Sequence, residues 1–164
     1  MGHLVVSIGS TQFNELVCQV SSESFIENAK KNNFTRMSIQ YGHGFKPKQS
    51  SHISITSFTF TDCLQNLVDS ADLIISHAGA GTILDVLRGD TFSARESYLN
   101  KVLVVVPNTE LMDNHQVELV ETLRMNQLCY VSRVEDLNSI FEMIKEGTKC
   151  LEPSYCVDVE KAFL

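Results

Sequence analysis

Apolar and polar positions along this chain follow two alternating patterns, which predict strands and helices in turn. The run 102–106 has no polar position, which is typical of a parallel strand that is covered on both faces. Short, mainly apolar segments, and alternating apolar and polar positions at 53–58, predict strands at 4–8, 37–41, 53–58, 73–76, 102–106 and 129–131. Apolar residues spaced three and four apart predict helices near 13–20, 25–29, 64–68, from about 82, 113–126 and 135–145.

Strands that alternate with helices along the whole chain predict an α/β fold with a doubly wound, mostly parallel, Rossmann-like sheet. A length of 164 residues fits one domain, 1–164. Ligands of such sheets bind beyond the carboxyl ends of the strands, near the point where the strand order reverses. Three polar loops follow predicted strands, at 9–12, 76–82 and 108–116, and we expect them to form one site.

Composition narrows the function classes. A net charge of −7 gives no broad basic surface, so we expect no nucleic-acid partner. No apolar run approaches the roughly 20 residues of a membrane span, and no signal-peptide pattern precedes the first strand. An odd number of cysteines without a CxxC pair predicts buried, reduced thiols and a cytoplasmic protein. They are Cys18, Cys63, Cys129, Cys150 and Cys156.

The most informative loop is 76–82, Ser-His-Ala-Gly-Ala-Gly-Thr, which lies between a strand and a helix. Gly79 and Gly81 let the backbone approach a ligand, and free N–H groups at a helix start attract anions. The loop therefore predicts a phosphate site, although Gly79 also suits a simple tight turn. His77 either caps the strand end or contacts the ligand. The loop is not a GxGxxG fingerprint, and no acidic residue follows in the dinucleotide-binding manner.

Two further polar positions have both a structural and a ligand-binding interpretation. Asp85 either pairs with Arg88 on the helix surface or accepts hydrogen bonds from ribose hydroxyls. In the cluster 113–116, Asp113 and Gln116 fit a capping box, while the four polar groups together also suit sugar hydroxyls.

Two local patterns complete the expectations from the residues. Ser132 and Glu135 have the spacing of a capping box at the start of the last helix. The five histidines lack ligand-like spacing, so we expect no metal site. A Ser-His-Asp arrangement cannot be found either.

Five segments together resemble one known family. They are 71–85, 104–108 and 111–119, together with 6–16 and 39–42, which resemble the family's first two strands and their loops. They look like the catalytic subunit of the eukaryotic two-subunit UDP-N-acetylglucosamine transferase of asparagine-linked glycosylation. That enzyme adds the second N-acetylglucosamine to the dolichol-linked precursor.

The resemblance implies the donor-binding lobe of a GT-B glycosyltransferase, similar to the C-terminal lobe of the bacterial lipid-linked N-acetylglucosaminyltransferase. By this likeness 79–82 takes the diphosphate, Asp85 binds ribose, and His115 and Gln116 contact the sugar. No cofactor is implied, and no catalytic base is identified. The substrate-binding residues expected are Gly9, Thr11, His77, Gly79, Ala80, Gly81, Thr82, Asp85, Asn108, Asp113, Asn114, His115 and Gln116.

The resemblance also implies partners. These are UDP-N-acetylglucosamine, a dolichol-linked acceptor and a membrane-anchored acceptor-lobe subunit, which would recruit this chain to the cytosolic face of the endoplasmic reticulum. Compared with the family, the chain has an inserted loop at about 88–101. A C-terminal tail at about 147–164 is amphipathic and suits docking on the partner or packing on its own domain. The alternatives are a stand-alone nucleotide- or flavin-binding module and a non-catalytic scaffold.

Overall fold

The computed structural model describes residues 2–88, 101–108, 114–126 and 128–146. Within them six strands form one sheet in the order β3-β2-β1-β4-β5-β6, with every neighbouring pair parallel. The strands are β1 Gly2–Ser7, β2 Phe34–Gln40, β3 Ser54–Phe58, β4 Leu73–His77, β5 Val102–Val106 and β6 Tyr130–Val131. The predicted α/β, doubly wound, parallel fold is confirmed.

Helices follow the strands in the predicted order. They are α1 Asn14–Val20, α2 Glu23–Lys31, α3 Leu64–Asp69, α4 Ala80–Arg88, α5 Asn114–Met125 and α6 Ile140–Lys145, and a 3-10 turn at Leu137–Ser139 precedes the last. None of these described helices has the length and apolar character needed to cross a bilayer.

The sheet separates two apolar layers, and β1 contributes to both. Leu4 and Val6 pack with α1, α2 and α6 on one face, while Val5 packs with α3, α4 and α5 on the other. All three side chains are almost fully buried. This two-sided burial explains why the central strands have no polar alternation. Each fully buried aliphatic side chain of this size contributes about 1.5–3 kcal/mol.

The start of the last helix differs from the prediction. The residues from Val134 to Ser139 form turns and a 3-10 segment, and α6 begins only at Ile140. The hydroxyl of Ser132 donates to the Arg133 carbonyl instead of capping a helix. The predicted capping box between Ser132 and Glu135 is therefore wrong. The 3-10 segment replaces the predicted first turn of the helix, and it places the fully buried side chain of Leu137 in the core.

The expectation of buried thiols is wrong for two of the three cysteines that the structure describes, and the third is only half-buried. Cys18 on α1 and Cys63 before α3 are exposed, so the prediction is wrong for them. Both lie beside apolar helix positions but point away from the core. Cys129 is half-buried, and burial raises the pKa of its thiol to about 12. The two remaining cysteines lie outside the described residues.

A buried histidine ties three elements together at the amino edge of the sheet. The Nε2 atom of His3 lies 2.9 Å from the Ser38 hydroxyl on β2, and its Nδ1 atom lies 3.0 Å from the Ser70 hydroxyl before β4. Its backbone N–H donates to a carboxylate oxygen of Asp72 at 2.8 Å. Burial, and secondarily the charge of Arg36, lowers the pKa of His3. The ring is thus a neutral structural connector, distant from the carboxyl edge.

Candidate functional site

The strand order places a crevice between the carboxyl ends of β1 and β4. The chain leaves β1 toward β2 and β3 on one side, and β4 is followed by β5 and β6 on the other. This reversal is where ligands bind in open α/β sheets. The loop after β1 and the loop after β4 both emerge there. The Asn108 amide, at the end of β5, donates to the Gln12 carbonyl at 3.4 Å and brings the third loop alongside. The first two predicted loops therefore meet at one edge, together with Asn108 from the start of the third.

The glycine loop contains two glycines with different structural roles. The N–H of Gly79 donates to the His77 carbonyl at 2.8 Å, which tightens the turn between β4 and α4. A Cβ on Gly79 would lie 2.5 Å from Cε1 of His77 and closer still to Nε2, so this position has no room for a side chain. A Cβ on Gly81 would meet nothing within 4 Å. Of these two glycines, Gly81 is the one that leaves open space beside the first turn of α4.

The start of α4 has the features of an anion site. The first amides of a helix have no partner inside the helix, and the helix dipole places partial positive charge there. In α4 these amides belong to Ala80, Gly81 and Thr82. Ala80 and Gly81 are exposed and Thr82 is buried, so the helix begins at the surface. The helix has no acidic residue in its first turn, which leaves this partial charge uncompensated from within the helix.

His77 lies between the two glycine-containing loops. Its ring is partly buried, and Nδ1 lies 3.4 Å from the carbonyl oxygen of Ser7 on β1. Gly9, with a positive φ of 63°, adjoins the same ring, since a Cβ there would lie 3.0 Å from Cε1. Burial lowers the pKa of His77, and the weaker contribution of the Ser7 carbonyl opposes this change. The ring is uncharged at neutral pH.

A turn after β2, which the sequence analysis does not place in the site, supports the first loop. Gly42 has a φ of 55°, and a Cβ there would overlap the carbonyl oxygen of Thr11. That same carbonyl accepts from the N–H of His43 at 3.1 Å. Asn14 at the start of α1 accepts from the Phe45 N–H at 2.8 Å. The signal in the sequence that marks this turn is the Gly-His-Gly pattern at 42–44, directly after a predicted strand.

Thr11 itself is turned toward its own loop. Its hydroxyl donates to the Ile8 carbonyl at 2.8 Å, while its carbonyl receives the His43 N–H. The residue is exposed. Thr11 therefore shapes the loop through local hydrogen bonds, and its backbone is fixed by contacts on two sides.

Other predicted site residues are described only in part. Gln116 lies on the first turn of α5 and is partly exposed. Asn114 and His115 precede it on the same turn, and Asp85 lies on α4; these three are described by their backbone alone. Asp113 lies outside the described residues. The capping box of Asp113 with Gln116 and the pair of Asp85 with Arg88 therefore stay predictions.

A cleft of about 850 Å³ opens beside this edge. It extends from Phe13 and Asn108 to the segment after β6, including Arg133 and Glu135. Among the described residues, one group of potential metal ligands comes together elsewhere: Glu23, Glu27 and His52 place one ligand atom each within 4.8 Å of one another. All three are exposed and belong to α2 and the loop before β3.

Comparison with known proteins identifies the family. The model of the glycosyltransferase family 28 C-terminal domain matches residues 3–154. The chain belongs to this family. It is a glycosyltransferase domain, as the sequence led us to expect.

Named relatives agree with the family resemblance. The UDP-N-acetylglucosamine transferase subunit ALG13 of Yarrowia lipolytica is 35% identical over 147 residues, covering 87% of this chain and 70% of that protein. The human protein of the same name is 33% identical over 121 residues, covering 72% of this chain. The match spans only 10% of the human protein.

Solved structures confirm the lobe. An NMR structure of ALG13 aligns with a TM-score of 0.61 at 24% identity, over 93% of this chain and 88% of that one. MurG from Acinetobacter baumannii aligns with a TM-score of 0.62 at 19% identity, over 97% of this chain and 45% of that one. At these identities the likeness shows the fold, and this family 28 domain has the architecture of a GT-B C-terminal lobe.

Proposed function

We propose that this chain is the donor-binding, catalytic subunit of an inverting glycosyltransferase. It moves N-acetylglucosamine from UDP-N-acetylglucosamine to N-acetylglucosaminyl-diphosphodolichol, and it acts only with a membrane-anchored partner that carries the acceptor lobe. The observation that carries the proposal is the open start of α4 at the strand-order reversal, where Gly81 leaves space for a ligand. The relatives named as transferase subunits add support for both the donor and a partner.

The donor diphosphate would lie against the amides of Ala80, Gly81 and Thr82. Negative charge increases on the diphosphate as the sugar leaves, so these amides stabilise the transition state more than the ground state. No metal is needed for this, because a helix start supplies oriented donors that require no reorganisation during the reaction. Asp85 would hold the ribose hydroxyls, and His115 with Gln116 would contact the sugar.

In the proposed reaction the 4-hydroxyl of the acceptor sugar attacks the anomeric carbon of the donor in line. The bond from that carbon to the diphosphate oxygen breaks, UDP leaves, and the configuration inverts. A base must accept the hydroxyl proton, and we assign it to the partner lobe or the junction, because a donor lobe alone lacks an acceptor surface. The isolated chain should therefore bind donor without transferring sugar.

The partner also accounts for location. We place the chain in the cytoplasm, recruited to the cytosolic face of the endoplasmic reticulum by its membrane-anchored subunit. The dolichol-linked acceptor would reach the site from the partner's side of the cleft between the lobes. Nucleic acid is not among the proposed partners.

An amide NMR titration of the isolated chain with UDP-N-acetylglucosamine tests donor binding, with NADH as the comparison ligand. We expect shifts at 79–82, at Asp85 and at 114–116 with the UDP-sugar alone. Shifts with NADH instead would replace the proposal with a dinucleotide-binding module. If neither ligand changes any amide shift, the result would contradict donor binding by this chain and favour a non-catalytic scaffold.

A charge variant sharpens this test. Gly81→Asp places a carboxylate in the open space beside the first turn of α4, where it displaces no described side chain. Repulsion of the diphosphate should weaken UDP-sugar binding by at least tenfold while the fold stays intact. Ser24→Asp is the matched control, because Ser24 is exposed in the first turn of α2 and receives the same charge at another helix start. Equal binding by the two variants would move the diphosphate away from α4.

A further inference from the structure

The ring of His77 lies between the two glycine-containing loops, the one after β1 and the one after β4. On one side it adjoins Gly9, and on the other it adjoins Gly79, where even a methyl group would overlap Cε1 and Nε2. Its Nδ1 atom lies 3.4 Å from the Ser7 carbonyl on β1. The ring therefore lies beside Gly79, the residue that directly precedes the first amides of α4.

The position of the proton on this ring follows from its partner. A carbonyl oxygen only accepts hydrogen bonds, so Nδ1 of His77 carries the hydrogen that faces Ser7. In a neutral imidazole the other nitrogen is then an unprotonated acceptor. Nε2 is the atom that comes nearest to Gly79, at the turn into α4. The empty site thus presents a lone pair beside the place where an anion binds.

The surroundings of the ring supply no fixed charge among the described side chains. Ser7 on β1, Gly9 in the first loop and Val106 opposite His77 on β5 are all uncharged. The lowered pKa of His77 has only burial and the Ser7 carbonyl as causes. On the two helices that follow, the titratable residues Asp85, Arg88 and His115 are described by backbone alone. The other titratable residues of α5, Glu118, Glu121 and Arg124, are exposed. A bound diphosphate would place strong negative charge beside the ring of His77, whose described neighbours are uncharged.

We propose that binding of the nucleotide diphosphate draws a proton from solvent onto Nε2 of His77, which converts an uncharged ring into a cationic N–H donor to the phosphate. This inference rests on the proposed donor binding. It goes further because it assigns the empty and occupied sites different protonation states. A neutral ring avoids a partly buried, unpaired cation in the empty site. A cationic ring in the complex gives a charge-assisted hydrogen bond where the leaving group becomes more negative.

The sign of the pH dependence follows from the two states. An adjacent anion raises the pKa of His77 in the complex above its lowered value in the free chain. Between those two values binding takes up a proton, so affinity for the UDP-sugar increases as the pH falls. The full change is about tenfold in affinity for each unit by which the pKa rises.

Isothermal titration calorimetry with UDP-N-acetylglucosamine measures this uptake directly. The sugar nucleotide has no phosphate that titrates near neutrality, so released or absorbed protons come from the protein. Titrations near pH 6.5 in two buffers of different ionisation enthalpy should show net uptake of a fraction of one proton. His77→Gln should still bind, more weakly and without uptake, while His52→Gln in the exposed loop before β3 should retain the uptake.

The outcomes separate the two proposals. Binding without uptake, or uptake that persists in His77→Gln, would overturn the role of His77 and leave donor binding intact. Absence of binding would overturn donor binding and this inference with it. If His77→Gln does not fold, the Cε1 proton of His77 in the unchanged chain can be titrated by NMR with and without the UDP-sugar. Its midpoint should move to higher pH with the ligand, and an unchanged midpoint would contradict the inference.

Discussion

Replacing Gly79 by alanine should destabilise the domain through one side chain. The new Cβ would lie 2.5 Å from Cε1 of His77, and ordinary contact begins near 3.4 Å, so the ring must move by about 0.9 Å or more. That movement strains the contact between Nδ1 and the Ser7 carbonyl. Overpacking of this kind costs about 1–3 kcal/mol. For a domain of this size the melting temperature should fall by about 3–9 °C.

The neighbouring glycine supplies the matched control. A Cβ on Gly81 meets nothing, and alanine is favoured over glycine in a helix by up to about 1 kcal/mol. Gly81→Ala should therefore leave stability unchanged or raise it slightly. Urea unfolding followed by circular dichroism measures both variants under the same conditions.

Removal of the ring tests the assigned cause. In a His77→Ala background the added methyl at Gly79 has no ring to displace, so its cost should largely disappear. The double-mutant cycle should then give a coupling free energy of about 1 kcal/mol or more. If Gly79→Ala were as destabilising without the ring as with it, the clash with His77 would not be the reason for glycine at this position.

Two more expectations follow from the titratable groups. The pKa of His3 is lower in the folded chain than in the unfolded chain, where it is about 6.5. At pH values between these two pKa values, His3 is protonated in the unfolded chain and neutral in the folded chain. The free energy of unfolding therefore decreases as the pH falls through this range. Urea unfolding at pH 7.5 and 5.5 should show this loss, and His3→Gln should reduce it; an equal loss in the variant would remove His3 as a source. For the thiols, Cys18 and Cys63 are exposed and Cys129 is half-buried with a pKa of about 12. A thiol reagent near pH 8 should modify the first two in the native chain much faster than Cys129, which peptide mapping can verify, and rapid labelling of Cys129 would contradict its burial.

Much of the fold could be predicted because local pattern and global topology agree. The apolar run 102–106 predicts a strand covered on both faces, and β5 has that position in the sheet. Alternation of strands and helices restricts the topology to parallel crossovers, which places the loops after β1, β4 and β5 at one edge. The meeting of the 9–12 and 76–82 loops with Asn108 followed from that rule alone.

What the sequence could not predict are features decided by contacts between distant segments. The pair Ser132 and Glu135 has the spacing of a capping box, but burial of Leu137 by a 3-10 turn takes precedence. Cys18 lies within an apolar helical stretch, yet it points away from the core. In each case the local signal was real, and tertiary packing selected a different use of the same residues.

The glycines of the site show why spacing alone misassigns causes. In the sequence Gly79 and Gly81 belong to one small-residue loop, where both suit close approach of a ligand and Gly79 also suits a tight turn. In the structure a side chain at Gly79 would overlap the ring of His77, which belongs to the same turn. That ring is held in place by the contact of its Nδ1 atom with the Ser7 carbonyl on β1. Only Gly81 faces open space. The ring of His77 therefore borders the proposed donor site on one side. Because the same ring also adjoins Gly9, a change of charge or position at His77 would reach both loops at once, and this is the reason that we expect a single proton there to alter donor binding.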